Sequence, residues 1–310
     1  MAGTVILSTT AVFIRYLTQT YRIPALVLAC WRLGFTALTV LVVLGLARPG
    51  LLRVRPRDVH YLLLYGLLLA VFNGLWTLSV ALNGAAVATV LVYCSAGFTA
   101  LLGWWFLRER LGWAKLLAVA LCLGGVILVS GVVGAADWRS GLPGISLGTL
   151  SGLGYAGYSL MGRSASQRGL NPWTTLFYTF GFAALFMLMF NLTPALSAFG
   201  GAARSADLLW LGKAWVGWGM LFLLAAGPTV AGFGLYNVSL VYLPSSVANL
   251  VATMEPAYTA VIAYFLLGER MGAIQVLGGV VILAGVVFLR LYEGRSAGNG
   301  RTPGGLREPV

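Results

Sequence analysis

The chain has 310 residues, of which 59 % are hydrophobic and only 9 % charged, whereas soluble domains carry about 25 % charge; a soluble globular protein is excluded. The formal net charge of +12 does not point to nucleic acid. The basic residues are scattered through short loops between apolar runs, where Lys and Arg orient a membrane protein. The expected partners are a lipid bilayer and a small molecule, with no nucleic acid.

Crossing a bilayer takes ~20 apolar residues per helix, and ten such runs follow one another at 2–19, 24–47, 59–81, 85–107, 111–131, 145–163, 172–191, 214–236, 246–267 and 272–291. The expected fold class is an all-α integral membrane protein with ten transmembrane helices. Met1 leads directly into the first run with no basic leader or cleavage site, so that helix is expected to remain as an anchor. Residues 292–310 are rich in Gly, Arg and Pro and read as a disordered cytoplasmic tail.

The ten runs are not independent of one another. Glu109-Arg110-Leu111-Gly112 recurs 160 residues later as Glu269-Arg270-Met271-Gly272, and the same offset pairs Trp76 with Tyr236, Gly74 with Gly234 and Gly125 with Gly285. An offset of 148 pairs Arg15 with Arg163, Gln19 with Gln167 and Pro24 with Pro172. The additional residues fall in the longer connection around 192–213. This spacing implies two five-helix repeats, 1–131 and 145–291. An odd number of spans turns the second repeat upside down relative to the first, an arrangement through which transporters alternate between two open states. With the N-terminus inside, Arg48, Arg53, Arg55, Arg57, Arg108, Arg110, Lys115, Arg168, Arg290, Arg295, Arg301 and Arg307 are cytoplasmic, against Arg22, Arg139, Arg204, Lys213 and Arg270 outside. Both termini are therefore expected in the cytoplasm.

Only one acidic residue, Glu255, falls inside a span. A carboxylate at that depth must bind a cation, pair or be protonated, which makes it a candidate coupling or ammonium site, the alternative being a structural bond to a neighbouring helix. Pro256 beside it is expected to loosen the helix. Arg32 lies well inside the second run, as a carboxylate ligand or as an internal lock on Glu255 or a helix carbonyl. Arg15 and Arg163 lie nearer helix ends and are expected to snorkel. Gly227-Pro228 is the expected hinge of the eighth run, since a mid-helix proline frees a carbonyl.

Trp113, Trp138, Trp173 and Trp210 sit near helix ends as interfacial belt residues. The deeper Trp76, Tyr93, Tyr155, Tyr158, Tyr178 and Tyr236, with Asn73, Ser95, Asn237, Asn249 and Thr253, would form a largely apolar substrate cavity with a few polar anchors. The paired positions Trp76 and Tyr236 are its first candidates. Cys30, Cys94 and Cys122 lack metal-ligand spacing and read as packing residues; no metal or cofactor is expected. A single loop histidine, His60, and one intramembrane acid provide no nucleophile–base pair for an enzyme.

Ten helices in two halves, each closing on a Glu-Arg turn, resemble the EamA family of the drug/metabolite transporter superfamily over nearly the whole chain. The segments Ser8-Thr9-Thr10-Ala11-Val12-Phe13-Ile14-Arg15, Val92-Tyr93-Cys94-Ser95-Ala96-Gly97-Phe98-Thr99-Ala100-Leu101 and Met254-Glu255-Pro256 are similar to the YddG-type aromatic amino acid exporters within it. That resemblance implies a basket of helices around a central apolar cavity in a bacterial inner membrane, and export of aromatic amino acids. Ala96 departs from a proline often found at that place, which makes the two halves less alike at the cavity. The alternatives carried by the residues are export of other amino acids or cationic drugs, with Glu255 as the cation site, and a non-transporting membrane receptor.

Overall fold

The computed structural model describes residues 2–95, 97–99, 101, 112–129, 138–232, 235 and 253–298. Within them the chain is helical, with no strand. The helices are α1 (Ala2–Thr20), α2 (Ala25–Ala47), α3 (Pro56–Asn83), α4 (Ala85–Val92), α5 (Trp113–Val129), α6 (Trp138–Gln167), α7 (Pro172–Asn191), α8 (Trp215–Leu224), α9 (Glu255–Leu267) and α10 (Ala273–Gly298). Ala25–Ala47, Pro56–Asn83, Pro172–Asn191 and Ala273–Tyr292 are long and apolar enough to cross a membrane. Large apolar side chains also face outward all round, among them Leu46, Trp215, Phe265 and Leu266, a surface suited to lipid and not to water.

Local chemistry sets the helix ends. Pro56 and Pro172 occupy first-turn positions, where the missing N–H costs nothing, and the Asn171 side chain accepts from Trp173 N at 2.9 Å to cap α7. Gly84 and Gly268 close α3 and α9 at φ 89° and 67°.

Packing interleaves the two halves of the chain. α3 lies against α6 and α7, α2 against α7, α1 against α9, and α4 against both α6 and α9. Among the described residues, α5 and α10 form a close pair of their own that reaches the other helices chiefly through α4. Their contact is made by glycines. A Cβ added to Gly278 would lie 2.7 Å from Gly125 O, and one added to Gly285 would lie 2.9 Å from the Leu121 Cβ, so small residues are what let these backbones approach.

Several boundaries differ from the apolar runs. α6 spans Trp138–Gln167, not 145–163, because Pro143 falls within two turns of its start and is accommodated there. α10 continues through 292 to Gly298, so the expected tail begins inside a helix; residues 299–310 lie outside the described part. The 192–213 connection folds into two 3₁₀ turns, Pro194–Phe199 and Ser205–Leu209. It lies over one end of the bundle, where Asn191 Nδ2 donates to Leu26 O at 3.0 Å, Trp31 Nε1 to Leu208 O at 2.6 Å and Trp210 Nε1 to Tyr21 O at 3.0 Å.

Candidate functional site

α4 ends after eight residues. The N–H groups of Tyr93 and Cys94 bond three residues back, to Val90 and Leu91, and helical structure resumes at Ser95. At 1.5 Å per residue the turn lies about 12 Å along the helix from the α3–α4 corner. The 160-residue offset carries Tyr93-Cys94 onto Thr253-Met254, and these two residues also form a turn, directly before α9 starts at Glu255. Pro256 is accordingly not a kink inside a continuous described helix. It occupies the first turn of α9, where a proline is readily held.

The two turns touch through their side chains: Tyr93 Oη donates to Glu255 Oε2 at 3.1 Å. Glu255 makes no ion pair with a described residue, so the lock between Arg32 and Glu255 weighed from sequence is absent. Arg32 instead donates from Nη2 to Asn73 Oδ1 and lies with Cζ 5.1 Å from the Trp76 ring centroid. Asn73, Trp76, Ser95 and Thr253 are all buried. Trp76 belongs to the same large apolar cluster as Val92, Tyr93 and Phe72; Arg32 contacts Asn73 and Trp76, and Tyr93 contacts Glu255.

Other candidates lie elsewhere. Tyr155 and Tyr158 stack with Phe72, and Tyr158 continues to Tyr65, as an aromatic ladder between α3 and α6. Tyr155 is 36 % exposed. Tyr178 donates to Leu52 O at 2.8 Å and so fastens α7 to the turn after α2. Tyr236, Asn237 and Asn249 lie outside the described residues.

At Gly227-Pro228 the helix widens. Residues Ala225–Ala231 continue α8 as a π-helix, a form that recurs at functional positions. Pro228 cannot donate to Leu224 O, four residues back, and Thr229 Oγ1 takes that carbonyl at 3.0 Å. Thr229→Val should therefore remove the side-chain donor to this buried carbonyl, leaving it only the π-helical backbone N–H, and cost about 0.5–1.5 kcal/mol, seen as a lower Tm in detergent, while Thr229→Ser should not. Equal Tm values for all three proteins would contradict this assignment.

Sequence reasoning missed one cluster. Arg15 does not snorkel: its Nε donates to Glu269 Oε1 at 3.0 Å, its Nη1 to Ala81 O, and the Gln19 amide oxygen can turn to accept from it at 3.0 Å. Glu269 also accepts from Ala85 N at 2.9 Å and Ala86 N at 3.5 Å, the first N–H groups of α4. The carboxylate fits because residue 84 is glycine; a Cβ there would come within 2.7 Å of Glu269 Oε1. The signal in the sequence was the recurrence of Glu-Arg-x-Gly together with the Arg15 and Gln19 pairings.

Comparison with known proteins decides the family. The profile of the EamA-like transporter family matches residues 1–131 and 142–291. The chain belongs to this family. An uncharacterized transporter of Archaeoglobus fulgidus is 29 % identical over 217 residues, 69 % of this chain and 71 % of its own length. The uncharacterized transporter YdfC of Bacillus subtilis is 29 % identical over 270 residues, 85 % of this chain and 81 % of its own. A solved crystal structure superposes with a TM-score of 0.58 at 15 % identity, covering 95 % of this chain and 98 % of that one; the likeness is one of fold. As a member of a transporter family with long apolar helices, this is a multi-pass membrane protein. The family membership agrees with a carrier role and gives no support to an enzymatic one.

Proposed function

We propose that the protein is a secondary transporter that exports aromatic amino acids and related small apolar metabolites across a bacterial inner membrane by alternating access of two inverted halves. The observation that carries this reading is the contact between Tyr93 and Glu255, which joins the turn that ends α4 to the start of α9. Discontinuous helices place polar backbone and a charged side chain at the level where transporters bind substrate and coupling ions. The division of the family match at 131 and 142 agrees with two halves of equivalent design. Trp76 and Tyr93 offer aromatic surface beside this point, and Tyr155 and Tyr158 lie one helix away. Glu255 is the coupling group, taking up the substrate ammonium or a proton. The Gly227-Pro228 π segment is the hinge, and both termini are cytoplasmic. A second reading, export of cationic compounds, is favoured by Glu255, which forms no ion pair with a described residue.

A panel of labelled tryptophan, phenylalanine, leucine and an aromatic monocation in proteoliposomes tests these readings. Tryptophan and phenylalanine should be transported in preference to leucine. Trp76→Ala should weaken apparent affinity for the two aromatic amino acids severalfold, since aromatic pairs contribute ~0.5–1.5 kcal/mol beyond area burial and ~1.4 kcal/mol is tenfold. Equal losses for leucine and tryptophan would show that Trp76 does not contact the aromatic side chain of the substrate. Preference for the monocation would replace the amino acid reading with the cationic one.

A further inference from the structure

Arg32 lies in the second turn of α2 and is 3 % exposed. A guanidinium stays protonated in proteins, and a charge removed from water must be balanced by a partner. Its immediate partners are neutral. Asn73 accepts from Nη2 while its own amide nitrogen is tied to Leu69 O at 3.1 Å, which fixes the oxygen toward the guanidinium. The Trp76 ring offers its π face. No acidic side chain forms an ion pair with Arg32 among the described residues, and Glu255 is bonded to Tyr93.

Two buried donors at this point have no acceptor among the described residues: Arg32 Nε and Trp76 Nε1. Both groups can only donate, so what complements them is an acceptor, and beside an unbalanced guanidinium that acceptor is an anion. A planar carboxylate fits a guanidinium edge through parallel N–H···O bonds.

We infer that Arg32, Asn73 and Trp76 form the subsite for the carboxylate of the transported molecule, with Arg32 Nε and the indole N–H as its donors. This rests on the transporter reading but not on an aromatic side chain in the substrate. The site is closed in this conformation. α2 packs against the π segment Ala225–Ala231, so movement of that segment relieves one wall.

The test is calorimetric binding to the full chain in detergent, with two pairs of probes that differ by a carboxylate alone: L-tryptophan against tryptamine, and L-leucine against isoamylamine. In the unaltered protein the carboxylate-bearing member of a binding pair should be at least about tenfold tighter, the scale of a charge-assisted bond. Arg32→Gln should bring the two members within about twofold, and Trp76→Phe should weaken only the carboxylate-bearing one. Asn73→Asp supplies Arg32 with an internal carboxylate and should erase the preference as Arg32→Gln does. It decides the matter alone if Arg32→Gln fails to fold. Equal binding of both members by the unaltered protein, absence of binding by both carboxylates, or a preference that survives Asn73→Asp would each overturn the subsite. Discrimination within the leucine pair when neither indole compound binds would discard the aromatic reading and leave this one standing.

Discussion

Replacing Glu269 by alanine should raise the reactivity of a cysteine placed at Thr89 at least about tenfold. Thr89 is buried one turn into α4 and bonds back to Ala85 O at 2.7 Å, directly beneath the carboxylate that holds the first N–H groups of that helix. Glu269 joins α1, the α3–α4 corner and the start of α10 through Arg15, Ala85 and Ala86. Both partners of the ion pair are less than one-fifth exposed, so solvent screens it weakly. Hydrogen bonds to charged groups contribute about 1.5–3 kcal/mol each, and losing one at ~1.4 kcal/mol per tenfold gives the expected change in opening. The measurement is labelling by a bulky maleimide in detergent, with Cys30, Cys94 and Cys122 replaced by alanine. Glu269→Gln, which keeps an acceptor for Ala85 N, should fall between. An unchanged rate in Glu269→Ala would show that apolar packing holds this end of the bundle without the ion pair.

The second large effect is expected at Gly125. A Cβ at this position would collide with the Ile282 side chain and approach Gly278 O at 2.8 Å, and the obstruction is backbone that cannot rotate away. Overpacking of this kind costs about 1–3 kcal/mol, so Gly125→Leu should lower Tm by about 2–5 °C for a chain of this size. The neighbouring Gly124 provides the control, because a Cβ there meets nothing within 4 Å; Gly124→Leu should leave Tm unchanged. Equal shifts in the two variants would mean that the α5–α10 crossing tolerates bulk and that the glycines are not what brings these helices together.

The helices were largely legible in the sequence because lipid demands continuous apolarity, and a run such as 172–191 has no other use. α7 coincides with that run. That the helix is irregular at Gly227-Pro228 was legible as well, since a proline at 228 must free the carbonyl of Leu224 from its α-helical bond; that the irregularity takes π form was not. The interruption at Tyr93-Cys94 was not legible, because neither residue is a helix breaker and nothing in the local sequence marks the turn. Pro256 misled for a related reason: a proline read inside a run and a proline in a first turn look the same without knowing where the helix begins. Arg15 was assigned to the headgroups because its carboxylate partner lies 254 residues away in the chain, a distance that no local pattern crosses. Tyr178 has the character of a ligand-stacking residue, and only the tertiary fold shows its hydroxyl spent on Leu52 O.

The pairing of α5 with α10 also bears on how the chain is made. α5 is synthesised roughly 150 residues before the segment that covers its glycine face, and until then Gly125 and Ala118 lack the α10 surface they pack against. Because it owes few contacts to the helices synthesised in between, the bundle of α1 to α4 with α6 to α9 can assemble around it without waiting. The last span to be synthesised is then the one that anchors the fifth. A chain cut short before residue 273 would retain most of its bundle yet leave α5 with an uncovered groove, open to the α10 of another copy.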